Sequence, residues 1–518
     1  MPLATTALLP VLLPVLLALG ACGSGSGDVS TPPEDDMPPG STEPAAPVEE
    51  PAAPAEPDEP AVQSPDAPEP LSEIVAELLQ PEDLDTPPVE LPAAPDDVVA
   101  RVDVVDIDGV YPYRPDGRHA DVLADCALIE DFRDACPLST LPFIVQENPT
   151  PAIGDVMDRV LVTHDWMGER FETLLESRSA ELLPLFGSVT SIVIGSTVRP
   201  SNYWTGTGGI QLDPAGLWLT VEEKANVSIE EDFRAPFRRL LGFRDFWDIH
   251  VAGRSIFGRF GLEDRSERTL RDIELPTMSL MFHELAHAAD FLPPGTSSLL
   301  DSELIPAAAL EQLFTEWLSP SLDERLPLNS ELLITLGQVR FRGETPTEEQ
   351  SAVSGTVAGA EMAADGATHF YSYSTIREDF ANLFETLQMK RLFDADVHLA
   401  YTVQPEDPEN FSCADLQVEW GVLNRLGDPS VLERARDVTE SIYGPDPTLD
   451  VFVAAQQGTE IPMEVGVDFC TNLSRAAPAA AATRSRTATF TLDRLRSSTT
   501  HPTHAERHAI ADPRRSLR

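Results

Sequence analysis

Not one lysine or arginine occurs in the first 100 residues, which carry 20 acids and 21 of the chain's 47 prolines. Such a stretch repels itself, loses a backbone donor at every proline, and holds too little apolar surface to offset the entropy of ordering. Residues 22–98 are therefore expected to form a disordered acidic linker, with no more than a turn or two of amphipathic helix at 71–78. Residues 476–518 have the opposite bias, eight arginines against three acids, and read as a disordered Ala/Arg-rich tail. What can fold is confined to about 99–475. Within it, residues 101–475 hold 63 acids against 28 bases, a net charge of −35 out of the whole chain's −50. A field of that sign repels phosphate backbones, so no nucleic-acid partner is expected.

The extreme N-terminus reads as a targeting segment. Its apolar run, residues 3–19, is broken by Pro10 and Pro14 and is too short for a comfortable membrane span. It ends in Leu19-Gly20-Ala21-Cys22, followed by Gly23. This resembles the bacterial lipobox, which implies that residues 1–21 are a removed signal peptide and that Cys22 carries lipid. The expected location is extracytoplasmic, anchored to a bacterial membrane, with Gly23 favouring the outer membrane or cell surface. The linker would then act as a tether of about 75 residues with a mean reach of roughly 50 Å. Four further cysteines, Cys126, Cys136, Cys413 and Cys470, suggest two disulfides in an oxidising compartment. Three pairings are possible, and near neighbours are the simplest choice.

Within the body, the apolar spacing of residues 154–175 predicts a helix, and 179–183 a short helical piece stopped by Pro184. Residues 189–198 read as a buried strand. Residues 208–221 read as two short strands around an Asp213-Pro214-Ala215-Gly216 turn. After Met278 the pattern is mostly helical. The fold class expected is α+β, with a mixed sheet and a helical C-terminal part. Trp204, Trp218, Trp247 and Trp317 are expected in the core, and His164, His250 and His398 in structural roles. The acidic runs Glu222-Glu223 and Glu230-Glu231-Asp232 are expected on solvated surface.

The chemistry concentrates in Met281-Phe-His-Glu-Leu-Ala-His-Ala-Ala-Asp290. Thr277 can cap a helix start and Pro293-Pro294-Gly295 can stop it. On that helix His283 and His287 fall at i and i+4, on one face, so both imidazoles can converge on one cation. Glu284 points aside, where it can reach solvent at the metal instead of the metal. Asp290 continues the histidine face and could orient a ligand. A catalytic zinc site wants three protein ligands and an open position. The segment Tyr371-Ser-Tyr-Ser-Thr-Ile-Arg-Glu-Asp-Phe-Ala-Asn-Leu-Phe-Glu385 offers Glu378 for the third. His369 is a substitute, and Asp379 and Glu385 are weaker candidates, solvated or supporting. Thr375 and Glu378 also have the spacing of a capping box, a purely structural use for the glutamate.

His-Glu-Leu-Ala-His-Ala-Ala-Asp, followed by Tyr-x6-Glu-Asp-Phe-Ala-x2-Phe-Glu, resembles the gluzincin metallopeptidases, most nearly the lethal-factor-like and Mlc-titration-factor-like groups. The resemblance covers about forty residues. It implies a zincin-like body with Zn2+ held by His283, His287 and Glu378. Glu284 would be the general base and Tyr371 the donor to the oxyanion, with Tyr373 competing for that role. It further implies a strand edge above the metal, which would fall at residues 210–220. The interval of about ninety residues between His287 and Glu378 would require an insertion near 345–365 to be looped out.

The expected activity is zinc-dependent hydrolysis of peptide bonds in a peptide or protein substrate. Two other classes fit the same sequence. One is an inactive zincin-fold surface lipoprotein acting as a binding module. The other is a hydrolase of cell-wall peptides.

Overall fold

Short apolar strands alternating with helices build the first half of the body. The computed structural model describes residues 99–476 apart from 259 and 408–410; the signal segment, Cys22, the linker with its 71–78 stretch, and the tail lie outside the described residues. The first sheet has the strand order β1 (Tyr111–Pro112), β2 (Val160–Val162), β3 (Ile192–Ile194), β5 (Gly209–Leu212), β4 (Asn202–Trp204). β2, β3 and β5 run parallel, and β1 and β4 close the two edges antiparallel. The three parallel strands are almost wholly buried, as continuous apolar runs in a covered sheet should be.

The second sheet is antiparallel throughout, in the order β10 (Ile461–Pro462), β9 (Val418–Leu423), β8 (Ala395–Val403), β6 (Phe243–Val251), β7 (Arg254–Ser255). β6 and β8 pair along their full length, from Phe243 opposite Val403 to Val251 opposite Ala395. The architecture is α+β, with two sheets and a large helical complement. No helix among the described residues is long and apolar enough to cross a membrane.

Seven helices matter for the site: α1 (Asp165–Ser177), α2 (Leu270–Phe291), α3 (Leu318–Arg325), α4 (Glu331–Arg342), α5 (Gly355–Ala364), α6 (Ile376–Phe393) and α7 (Pro429–Tyr443). α6 packs on α2, on α7 and on β8, and α2 also touches β4. Phe282, Leu285 and Ala286 of α2 and Leu383, Phe384 and Leu387 of α6 join the main apolar core. Both helices are buried on most sides, which is why neither shows a clean amphipathic stripe.

Several expectations are corrected. The helix predicted over 154–175 is split: α1 begins at Asp165, and Val160–Val162 is strand β2. Three consecutive apolar β-favouring residues fit either period, and tertiary pairing with β3 decides. In 208–221 only the first strand forms. Thr220 instead caps a helical turn with Glu223 in a capping box. The C-terminal part is mostly helical, as read, and β8 and β9 complete the second sheet within it. The segment 345–365 is not looped out: it contains α5, which packs against β9 and β8.

The four tryptophans are buried. His250 hydrogen-bonds Asp248 at 3.0 Å, and the Asn424 backbone N–H donates to His398 Nδ1 at 3.1 Å. Asp232, expected on the surface, is buried against Arg234. Both disulfides join near neighbours, Cys126–Cys136 and Cys413–Cys470.

Candidate metal centre

α2 starts earlier than Thr277. Thr269 is its N-cap, with Asp272 accepting from the Thr269 backbone N–H at 2.7 Å. Pro276 therefore sits inside the helix, where it removes one i→i−4 bond, and Thr277 is an interior residue. The helix persists because it is buried, not because its local sequence favours it. Its fourth and fifth turns carry His283, Glu284 and His287, which are 0 %, 1 % and 2 % exposed.

α6 begins one residue after Thr375, whose hydroxyl accepts from the Glu378 backbone N–H at 3.1 Å. Only half of the capping-box pattern is used. The Glu378 side chain turns away from the cap and meets the imidazoles. Its Oε2 lies 3.1 Å from His283 Nε2 and 3.3 Å from His287 Nε2, and the two nitrogens are 3.2 Å apart. Three corners of a regular tetrahedron at that spacing lie about 2.0 Å from its centre, the length of a Zn–N or Zn–O bond. These three buried residues form a group that could hold a metal ion.

The three groups are electrostatically coupled. Burial acts to lower the His283 imidazole, but the carboxylates of Glu378 and Glu385 overcome it and raise its pKa to about 10. Burial likewise opposes ionisation of Glu378, yet His287 and His283 hold that carboxyl well below the usual carboxylate range.

Around the triangle the structure sorts the remaining candidates. Glu385 is the supporting carboxylate: His283 Nδ1 donates to it at 3.2 Å and the Ser279 hydroxyl bonds its other oxygen. That bond fixes the orientation of the His283 ring, with Nε2 facing the triangle. Asp290 does not hydrogen-bond His283 or His287. It accepts from the Ser319 backbone N–H and hydroxyl at 2.7 Å each, and from Arg377 at 2.7 Å. His369 is not in the triangle; its ring stacks on Trp247 at 4.9 Å. Tyr373 turns away and donates to Asp365 at 3.1 Å. Asp379 pairs with Arg434.

Glu284 and Tyr371 stand apart from these satisfied groups. Neither oxygen of Glu284 and not the Tyr371 hydroxyl has a hydrogen-bond partner among the described residues, though all three atoms are buried. Burial pushes the Glu284 carboxyl up to about 8, against the pull of the adjacent His283 imidazole. Burial also raises the Tyr371 hydroxyl well above its ordinary value, and the Glu378 charge adds to that. The Tyr371 ring faces His283 with centroids 6.5 Å apart, so this tyrosine borders the site and Tyr373 does not. Buried polar atoms without partners are costly, and here they gather beside a cation-sized triangle.

The strand nearest this group is β4, through Tyr203, not 210–220: β5 is interior to its sheet, and β4 forms the edge. Arg234, unmarked in the sequence, is buried near enough for the charges of Tyr371 and Glu378 to act on it. An arginine in a polar loop gives no sequence signal, because its placement depends on a tertiary contact. The chain has no significant match among family models, curated proteins or solved structures.

Proposed function

We propose that this chain is a zinc-dependent peptidase, with Zn2+ held by His283, His287 and Glu378. The observation that carries the reading is the 3.1–3.3 Å triangle of two imidazole nitrogens and one carboxylate oxygen. It is flanked by a buried carboxyl, Glu284, that does not join it. A purely structural zinc site is closed by four protein ligands, whereas three ligands leave a position for solvent or substrate.

A bound zinc ion supplies Lewis acidity, acidifying solvent towards neutrality and polarising a carbonyl. Glu284, one residue on from His283, takes the proton from the attacking water and returns it to the departing amine. Burial strengthens Glu284 as a proton acceptor by raising its carboxyl above the ordinary carboxylate range. The Tyr371 hydroxyl, held protonated by burial, donates to the oxyanion that develops on the scissile carbonyl. Glu385 keeps His283 Nε2 aimed at the triangle, and β4, the edge strand of its sheet, offers an extended peptide a strand to pair with.

The same reading places the body outside the cytoplasm, tethered through Cys22; two formed disulfides support an oxidising compartment. The test measures zinc content and hydrolysis of casein and of a peptide library by wild type and Glu284→Gln. The expected result is about one zinc per chain in both proteins and a loss of hydrolysis of at least a hundredfold in the variant. Equal hydrolysis by both, or none by a zinc-loaded wild type, defeats the peptidase reading and favours a binding module. Cleavage of muropeptides but not of casein redirects it to the cell wall.

A further inference from the structure

Glu378 reaches the triangle from the first turn of α6, where helices fray most readily, yet its two neighbours in sequence are both locked. On one side, Arg377 is fixed to Asp290 of α2 and lies 3.9 Å over the Phe291 ring. On the other, Asp379 is fully engaged by Arg434 of α7, with Nη1 to Oδ1 at 3.1 Å and Nη2 on Oδ2. The same guanidinium holds two main-chain carbonyls, Leu326 O from Nε at 2.9 Å and Gly366 O from Nη1 at 3.0 Å.

Gly366 belongs to the loop that feeds the 3-10 turn Phe370–Tyr373, which carries Tyr371. That loop is held again by Arg425, which donates to Met362 O at 2.8 Å, Asp365 O at 2.6 Å and Ala367 O at 3.1 Å. Within α6, Asn382 Nδ2 donates to the hydroxyl of Ser372, the residue after Tyr371, at 3.4 Å. One buried arginine thus grips the residue beside Glu378 and the approach to Tyr371 together. A planar fork with five donors can do this; a lysine cannot.

We propose that Asp379 and Arg434 are a positioning pair, which registers Glu378 against the imidazoles and Tyr371 against the same centre. The pair touches neither metal nor substrate. Its effect is geometric: releasing it lets the first turn of α6 and the 366–371 segment move independently, and the ligand triangle and the tyrosine lose their common alignment. The proposal rests on the zinc reading above, and its test separates the two.

Zinc affinity is measured by chelator competition on the full chain for wild type, Arg434→Met, Asp379→Asn and Arg434→Lys, with thermal midpoints for each. Arg159→Met serves as the control. Arg159 is equally buried and holds Pro142 O at 3.0 Å, Thr190 O at 3.1 Å and Glu147 at 2.6 Å, next to β2 and so across the first sheet from β4. Arg434→Met and Asp379→Asn are expected to weaken zinc binding about tenfold, the lower end of what is lost when a group bonded directly to a metal ligand is removed, because this pair acts one contact further out. They are also expected to lower kcat more than they raise KM. Arg434→Lys should fall between, and Arg159→Met should lose comparable thermal stability with zinc affinity within about threefold of wild type.

Wild-type zinc affinity in Asp379→Asn and in either Arg434 variant overturns the pair. So does an equal loss of affinity in Arg159→Met, because general loosening then suffices. If Arg434→Met does not fold, Arg434→Lys and Asp379→Asn decide. A wild type that binds no zinc removes the metal centre itself, and the pair with it.

Discussion

α2 and α6 meet at one triangle, but they supply it by different physics. α2 provides two of the proposed ligands and the proposed base within five residues, and their convergence follows from helix geometry alone: i and i+4 share a face wherever the helix happens to sit. α6 provides the third proposed ligand from its capping turn, and nothing local aims that side chain. Its direction is set by the Thr375 cap, by ion pairs on both sides of it, and by packing on α2 and α7. The first half of the site is a local property of the chain. The second half is a property of the fold.

If that contrast is right, damage to α2 should be abrupt and damage to α6 graded. His287→Ala removes a donor that no neighbour replaces, since Glu378 and His283 already occupy the other corners. Zinc affinity is expected to fall on the order of a thousandfold or more in chelator competition, with hydrolysis lost. Tyr371→Phe should leave zinc binding intact and lower kcat about 100–1,000-fold, the cost of one oxyanion donor. Steady-state kinetics on the zinc-loaded protein measure it. Glu385→Gln, which keeps the shape but weakens the bond to His283 Nδ1, should cost about 10–100-fold in zinc affinity. Thr375→Ala removes only the cap of α6, about 1 kcal/mol of stability, seen as a small fall in thermal midpoint and a small loss of affinity.

Acidification tests whether the rest of the fold behaves independently of both helices. Burial, helped by the nearby His250, lowers the pKa of His398 on β8 to about 3. In the unfolded chain an imidazole binds its proton near 6.5, so between about 6.5 and 3 the unfolded state holds more protons than the folded one. Stability contributed by this group is complete above 6.5 and is lost as pH falls through that window, by a few kcal/mol at most. His398→Gln should flatten that part of the stability–pH profile, with or without zinc. An identical profile in the variant would show that this acid sensitivity arises elsewhere.

The same contrast explains what the sequence made legible. His283, Glu284 and His287 could be read directly because their spacing is a helical period. Glu378 required a resemblance, since ninety intervening residues, themselves helical in large part, leave its distance from the histidines undetermined. Asp290 lay on the right face but found Arg377 and Ser319, partners that only α3 and α6 could bring. Strand β2 was hidden inside a helical pattern because Val160–Val162 satisfies both periods, and pairing with β3 settled it. β4 was missed for the opposite reason: three residues between Pro200 and a glycine-rich turn carry no period at all. Arg434 sits in an amphipathic helix where arginine ordinarily faces water, and its burial depends on Asp379 and on a loop 68 residues upstream. The two nearest-neighbour disulfides were legible because sequence separation alone favours them; closing 57 residues, the Cys413–Cys470 bond should contribute about 4 kcal/mol against about 3 for the shorter loop.

X-ray absorption at the zinc edge tests the joining of the two helices most directly. For the zinc-loaded chain the account predicts two imidazoles and light oxygen donors at about 2.0 Å, with one imidazole contribution lost in His287→Ala and an oxygen contribution altered in Glu378→Ala. Zinc bound without imidazole scattering, or a spectrum unchanged by both substitutions, would contradict it.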